Sequence, residues 1–164
     1  MAVPGAHAAV VVGMTAPTTP TAPCDNASDI VQDGPALTDV IPQGIASPVI
    51  TSWSTNAAVG GGQQLALKVF EKISEPATFR QVSHDGPRAL TGGALNEFTT
   101  DLPVRAGDLL GVGTPSDSAP TACIFGSELG NRSHLGFLND GESAGPFAAG
   151  TGLANVAAVI EPSH

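Results

Sequence analysis

The pentapeptide GESAG at residues 141–145 is the first place where the spacing of residue types could support chemistry. It matches the G-x-S-x-G pattern, in which a hydrolase carries its nucleophilic serine on a tight turn between a strand and a helix. The nucleophile needs an acid and then a histidine later in the chain, and only Glu161 and His164 follow Ser143. Pro146 and the glycines after it leave no room for the helix. We therefore interpret GESAG as a turn, and a serine hydrolase is the weakest functional alternative.

Metal ligands are sparse in this sequence. The histidines have no second histidine or cysteine at ligand spacing, which argues against a transition-metal site. Calcium stays open, because loops of β-sandwiches bind it through Asp, Asn and carbonyl oxygens, and CDNASD at 24–29 and NDGE at 139–142 are acidic. Neither segment follows the EF-hand pattern, and solvated loop charges are the alternative. We expect no metal or cofactor, with calcium as the one exception left open.

Trp53 is the candidate ligand-binding residue, because exposed aromatic rings bind sugars. The chain has one Trp, no Tyr and six Phe, which is few for a carbohydrate-binding module. Strict alternation along PVITSWSTNA at 48–57 places Trp53 on one face with Val49 and places Ile50 on the other face. We predict that Trp53 lies in the core. A carbohydrate-binding module is the alternative, and it predicts Trp53 or a Phe cluster exposed on a concave face.

The two cysteines, Cys24 and Cys123, lie in different halves of the chain and form no C-x-x-C motif. They either pair across the fold or remain as two buried thiols. A disulfide that closes a loop of about 100 residues contributes up to roughly 4.7 kcal/mol in the chain-entropy model. We predict the Cys24–Cys123 disulfide.

The charge balance excludes several classes of partner. Six Lys and Arg stand against 15 Asp and Glu, a net charge of −9, and no basic cluster occurs. Nucleic-acid phosphates would repel such a chain, so we expect no nucleic-acid partner. No apolar run approaches the roughly 20 residues that cross a bilayer, so we expect no membrane span. A length of 164 residues fits one domain.

Segments free of Gly and Pro are short, and several alternate apolar with polar residues or are rich in β-branched residues. The pattern predicts an all-β fold, an antiparallel β-sandwich of jelly-roll or immunoglobulin-like kind with about ten short strands. The candidate strands are at 8–12, 28–32, 36–41, 48–57, 63–75, 77–84, 95–104, 108–113, 121–125, 134–138 and 153–161.

The segment 63–75 is ambiguous, because its apolar residues fit both strand alternation and helical spacing. We predict a strand, partly because the glycines at 60–62 suit a hairpin turn from the strand before it. The segment 77–84 is its expected partner. His84 is then the end of that strand, which enters a turn at Asp85-Gly86-Pro87.

The N-terminal residues suggest export. The triplet AHA at 6–8 has the A-x-A form of a signal-peptidase site, although the usual basic and apolar regions do not precede it. Residues 1–8 are interpreted as a signal-peptide remnant, with a chance match in an Ala-rich segment as the alternative. Residues 9–164 form the single sandwich domain, with a Pro/Thr-rich linker at 16–23 that is typical of exported proteins. We expect a secreted or cell-surface protein.

A set of short motifs spans most of the chain from about residue 10 to residue 162. They are Cys24, VITSWST at 49–55, LKVF at 67–70, HDGPR at 84–88, LNEF at 95–98, PVRAGD at 103–108, Cys123 and IEP at 160–162. In this order they resemble small, uncharacterised, secreted β-sandwich proteins of actinobacteria. The resemblance implies export, a single sandwich and the disulfide, and it brings no known activity or ligand.

With no catalytic constellation, we expect a non-enzymatic structural or interaction module, with an extracellular polysaccharide as the partner in the carbohydrate-binding alternative. Small residues are abundant, which favours close packing through strand edges or flat faces and suggests a homo-oligomer. The strand at 8–12 could add to the sheet of a neighbouring copy or pair within its own sandwich. The second arrangement is the simpler expectation.

Overall fold

The computed structural model describes residues 9–20, 24, 27–33 and 39–163. The predicted signal-peptide remnant at 1–8 lies outside these residues, as do 21–23 of the linker and most of the predicted strand at 36–41. The described residues form eleven β-strands and no helix. The strands are β1 (Val10–Met14), β2 (Ser28–Gln32), β3 (Pro48–Asn56), β4 (Gln64–Ser74), β5 (Thr78–Ala89), β6 (Leu95–Pro103), β7 (Leu109–Thr114), β8 (Ile124–Leu135), β9 (Ser143–Ala144), β10 (Ala148–Ala154) and β11 (Val156–Pro162).

Two antiparallel sheets form the sandwich. The smaller sheet has the strand order β1-β11-β3-β6, and the larger sheet has the order β10-β8-β2-β7-β4-β5-β9. This confirms the all-β antiparallel sandwich predicted from the sequence. The first strand pairs with β11 of its own sheet, from Val10 opposite Ile160 to Met14 opposite Val156.

The larger sheet has a buried centre on both of its faces. Leu65, Leu67 and Val69 of β4 pack into the core between the sheets, because alternate residues of a strand share a face. Phe70 of the same strand joins a second core on the outer face. That outer core also contains Val31, Ala77, Phe79, Leu109, Leu138 and Phe147. Strands β2 and β7 are buried along their full length, as expected for strands covered on both sides.

The pairing of β4 settles the ambiguity of segment 63–75. It is a strand, and β5 is its neighbour, as predicted. The predicted hairpin turn at 60–62 is wrong, because β3 and β4 lie in different sheets and these glycines connect the two. The predicted turn at 85–87 is also wrong, because β5 continues to Ala89. In the pairing of Leu65 with Arg88 and Leu67 with Asp85, two residues of β5 oppose one residue of β4, which is a bulge.

A bulge in β3 corrects the predicted faces of that strand. Ile50 is opposite Ile160 and Ser52 is opposite Val159, so Thr51 is an extra residue in the strand. The strict alternation therefore fails at this point, and Ile50 and Trp53 both reach the inner core. The prediction that they lie on opposite faces is wrong.

Two features attach the N-terminal part of the chain to the sandwich. Cys24 and Cys123 form the predicted disulfide, with a Cα–Cα distance of 5.8 Å and a sequence separation of 99. In the segment predicted as a linker, Ala16 and Pro20 are buried. Asn56 Nδ2 donates a 2.8 Å hydrogen bond to the Ala16 carbonyl. The described part of this segment, 16–20, therefore lies against the sandwich.

Candidate functional site

GESAG begins in a turn, as predicted, but its residues Ser143 and Ala144 form a short edge strand that was not predicted. The Glu142 amide donates a 3.0 Å hydrogen bond to the Asn139 carbonyl, and Gly141 adopts a positive φ of 87°. Ser143 is exposed in β9, which pairs through only two residues with β5. The chain does not continue into a helix here, so the serine does not lie on a nucleophile elbow.

Trp53 is 1% exposed, which confirms the prediction that it belongs to the core. Its ring centroid lies 4.9 Å from that of Phe98, and its indole Nε1 donates a 2.7 Å hydrogen bond to Asp85 Oδ2. Each of the six Phe side chains is buried or half-buried. The exposed aromatic platform that a carbohydrate-binding module needs is therefore not formed by these rings.

The acidic segments considered for calcium use their side chains within the fold. Asp140 Oδ1 accepts one hydrogen bond from Gln81 and lies 2.8 Å from His84 Nδ1, while Glu142 Oε1 accepts two hydrogen bonds from Asn139. In the segment 24–29, residues 25 and 26 lie outside the described part of the chain. Within the described part, no three His, Cys, Asp or Glu side chains form a group that could hold a metal.

A cleft of about 410 Å³ contains two carboxylates, Glu71 and Asp108, together with Ser83. Both carboxylates are engaged, because Arg80 binds Glu71 and the Arg105 amide donates a 2.9 Å hydrogen bond to Asp108 Oδ2. Burial, reinforced by the charge of Glu71, raises the pKa of Asp108, although the Arg105 amide opposes this. The two carboxylates of the cleft therefore already have partners within the fold.

The strongest chemical feature is a buried ion pair on the outer face of the larger sheet. Lys68 Nζ lies 2.5 Å from Asp29 Oδ1, and both side chains are fully buried. A buried charge without a partner is very unfavourable, so each of these residues requires the other. The pair joins β4 to β2 across the intervening strand β7.

The contact between Lys68 and Asp29 across β7 is feasible because Gly113 of that strand has no side chain. Gly111 is opposite Lys68, and Gly113 is opposite Asp29. A Cβ atom on Gly113 would lie 2.5 Å from Lys68 Cε and 2.9 Å from Asp29 Oδ1, which is too close. The lysine side chain therefore crosses β7 where that strand has no side chain on the outer face.

The segment after β8 covers the ion pair. Leu138 contacts both charges through its backbone, because its carbonyl accepts a 2.9 Å hydrogen bond from Lys68 Nζ and its amide donates one of 2.9 Å to Asp29 Oδ2. The ring centroid of Phe137 lies 3.5 Å from Lys68 Nζ, a cation–π contact. The ammonium group is thus surrounded by a carboxylate, a carbonyl and an aromatic face.

His134 completes the cluster. It is directly opposite Asp29 in the pairing of β8 with β2, and its Nδ1 lies 3.6 Å from Asp29 Oδ2. Within the described part of the chain, this buried Nδ1 makes no hydrogen bond. The imidazole stacks on Phe147, with ring centroids 5.1 Å apart and planes 17° from parallel. An imidazole nitrogen is therefore held beside the carboxylate.

Burial weakens the charged form of both partners. It raises the pKa of Asp29 and lowers the pKa of Lys68, while the opposite charge and the hydrogen bond between them act the other way on each group. The net shifts bring the neutral pair, an amine and a carboxylic acid, closer in free energy to the ion pair than it is in water.

This cluster was not predicted from the sequence, because Asp29 was considered only within the acidic segment 24–29 and the strand 28–32, and His134 only as an isolated histidine. Two signals point to it. Lys68 is the one charge within the apolar run LALKVF, and a charge inside a buried strand requires a partner. The alternating glycines of LLGVG at 109–113 indicate a strand that another group approaches closely.

Within the described part of the chain, no helix is long and apolar enough to cross a membrane. No protein family, no curated protein and no solved structure matches this chain.

Proposed function

We propose that this chain is an extracellular structural module without a catalytic role, and that it associates with copies of itself through the free edge of β1. The observation that carries this proposal is the character of that edge. Among the described residues, β1 is the outer strand of the smaller sheet, and its segment VVVGM contains no charge. Val11 is 65% exposed and Met14 is 51% exposed.

The opposite edge of the same sheet has a different character. Strand β6 has the exposed carboxylates Glu97 and Asp101. Charges on an edge strand hinder pairing with another chain, and an uncharged edge rich in β-branched residues favours it. Two copies that meet at β1 would join their smaller sheets around a two-fold axis, which is the commonest symmetry of homo-oligomers. A contact between two β6 edges would bring like charges together.

Export is supported by the Cys24–Cys123 disulfide, because disulfides persist in oxidising compartments and are rare in the cytosol. A non-catalytic role is supported by the carboxylates Glu71, Asp108 and Asp140, each of which is bound by another group of the fold. The surface offers no exposed aromatic platform among its Trp and Phe rings, so no observation favours the carbohydrate-binding alternative.

The test is a charged substitution at the edge. Val11→Lys places a charge on β1 and is expected to convert a dimer to a monomer in sedimentation velocity. Val59→Lys is the matched control, because Val59 is 82% exposed but lies outside the strands. It is expected to leave the dimer intact. Equal behaviour of the two variants would contradict an interface at β1.

A further inference from the structure

We propose that Lys68 and Asp29 condense to an intramolecular amide between Lys68 Nζ and Asp29 Cγ, with the release of one water molecule. The bond would link β2 to β4 covalently across the centre of the larger sheet. This inference is independent of the proposed association through β1, because it concerns the interior of a single chain.

The amine nitrogen of Lys68 is held against the carboxylate of Asp29. Nζ lies 2.5 Å from Oδ1, and a carboxyl C–O bond is about 1.2 Å long, so Cγ is no farther than about 3.7 Å from Nζ. Near-attack conformers have reacting atoms about 3–3.5 Å apart, and holding two groups in such a geometry is equivalent to a very high effective concentration. Gly113 permits this approach, since any side chain there would separate the two groups.

The surroundings also favour condensation over hydrolysis. Both side chains are fully buried, and the Phe137 ring and Leu138 cover Lys68 Nζ. A site that excludes water prevents the hydrolysis that normally reverses such a reaction. The lowered pKa of Lys68 and the raised pKa of Asp29, both due chiefly to burial, increase the fraction of amine and carboxylic acid from which the reaction starts.

The neighbouring groups provide for proton transfer and orientation. The Leu138 carbonyl accepts a hydrogen bond from Nζ, and the Leu138 amide donates one to Oδ2. His134 Nδ1 lies 3.6 Å from Oδ2 and has no hydrogen-bond partner within the described residues. An imidazole is the side chain best suited to relay a proton near neutral pH.

The atoms of the reaction balance without an external reagent. A proton moves from the ammonium to Oδ1, and the freed lone pair of Nζ forms the bond to Cγ. The proton on Oδ1 and a second proton from Nζ then pass to Oδ2, and the bond from Cγ to Oδ2 breaks with its electron pair on Oδ2 while Oδ1 becomes the amide carbonyl oxygen. Of the three protons on the ammonium, one remains on the amide nitrogen and two leave with Oδ2 as water. His134 relays one of these protons and returns to its starting state.

The test is the mass of the native protein after purification, denaturation and reduction of its disulfide. We expect a mass below that of the sequence by one water molecule. Lys68→Arg is the control, because it keeps the positive charge but removes the primary amine, and it is expected to have the full mass. A wild-type protein at its full mass would overturn the proposal, and so would a Lys68→Arg variant that still lacks a water.

Trypsin then locates the bond. It cuts after free lysine and arginine, and Lys68 and Lys72 are the first two such residues of the chain. The amide predicts no cut at Lys68, so that residues 1–72 appear as one peptide that lacks a water. Dehydration of an Asp-Gly pair, such as Asp85-Gly86, would lower the mass equally but leave the cut at Lys68, and that outcome would overturn the proposal.

Discussion

Trp53 Nε1 donates a 2.7 Å hydrogen bond to Asp85 Oδ2, which connects β3 of the smaller sheet with β5 of the larger one. Arg88 donates two further hydrogen bonds to the same carboxylate, each of 3.1 Å. Burial raises the pKa of Asp85, but the hydrogen bonds from Arg88 and Trp53 and the charge of Arg88 outweigh it, so the net pKa lies below the ordinary value of 3.8.

A carboxyl with a lower pKa in the folded state stabilises the fold above its ordinary pKa, and this contribution is lost as the pH falls through the folded pKa. Asp85→Asn keeps an oxygen acceptor for Trp53 but does not titrate. The free energy of unfolding in urea is measured at neutral pH and again well below pH 3.8. We expect it to fall less between these two conditions in the variant than in the wild type. Equal losses in both proteins would contradict the role of Asp85.

Removal of the Lys68 amine tests the contact with Asp29, because Lys68→Met abolishes both the ion pair and the proposed amide. Lys68→Met leaves the Asp29 carboxylate buried without its partner, and the loss of one member of a buried pair costs about 3–5 kcal/mol. Urea unfolding at neutral pH measures this loss. Lys72→Met is the matched control, because Lys72 pairs with Asp33 at the surface, where an ion pair contributes about 1 kcal/mol or less. Similar losses of unfolding free energy in the two variants would contradict the burial of the Lys68 side chain.

Gly113 of β7 is expected to be essential for the contact between Lys68 and Asp29. In Gly113→Ala the new methyl group collides with both side chains, and overpacking of this kind costs about 1–3 kcal/mol. Gly61→Ala is the control, since a Cβ at Gly61 meets nothing within 4 Å. Thermal unfolding of the two variants checks the difference. A Gly113→Ala variant as stable as Gly61→Ala would be inconsistent with the described path of the lysine.

The disulfide is expected to contribute a large share of the stability. Reduction opens a loop with a sequence separation of 99, and closure of a loop of about 100 residues contributes up to roughly 4.7 kcal/mol. A reducing agent should therefore lower the urea midpoint of the wild type. The double variant Cys24→Ser, Cys123→Ser should unfold at the lower midpoint and should not respond to the reducing agent. A response of the double variant would point to another cause.

Local patterns predicted most strands, because alternation and turn residues act over a few neighbouring positions. Segment 63–75 fits both a strand and a helix by its local pattern. Its pairing with β5 makes it a strand. The faces of β3 were mispredicted, because the extra residue Thr51 forms a bulge that shifts the alternation. The residue pattern before Thr51 does not indicate this bulge. The role of the glycines at 60–62 was mispredicted, because glycines suit both a hairpin turn and a connection between two sheets.

The cluster around Lys68 depends on strand order, which short-range patterns do not contain. Lys68 and Asp29 are 39 residues apart, and His134 reaches them from a third strand. The lone lysine in LALKVF predicts that a partner exists, but only the order β8-β2-β7-β4 identifies it. The Lys68 side chain can cross β7 only because Gly113 lies at that point. The need for a glycine there is explained only when its neighbours Lys68 and Asp29 are known.

The mass of the native protein in solution is the decisive test of association through β1. Light scattering coupled to size exclusion, over a range of protein concentrations, is expected to give twice the chain mass of 16.3 kDa. The dimer should dissociate on dilution in a single step. A mass of one chain at every concentration would contradict the proposed function.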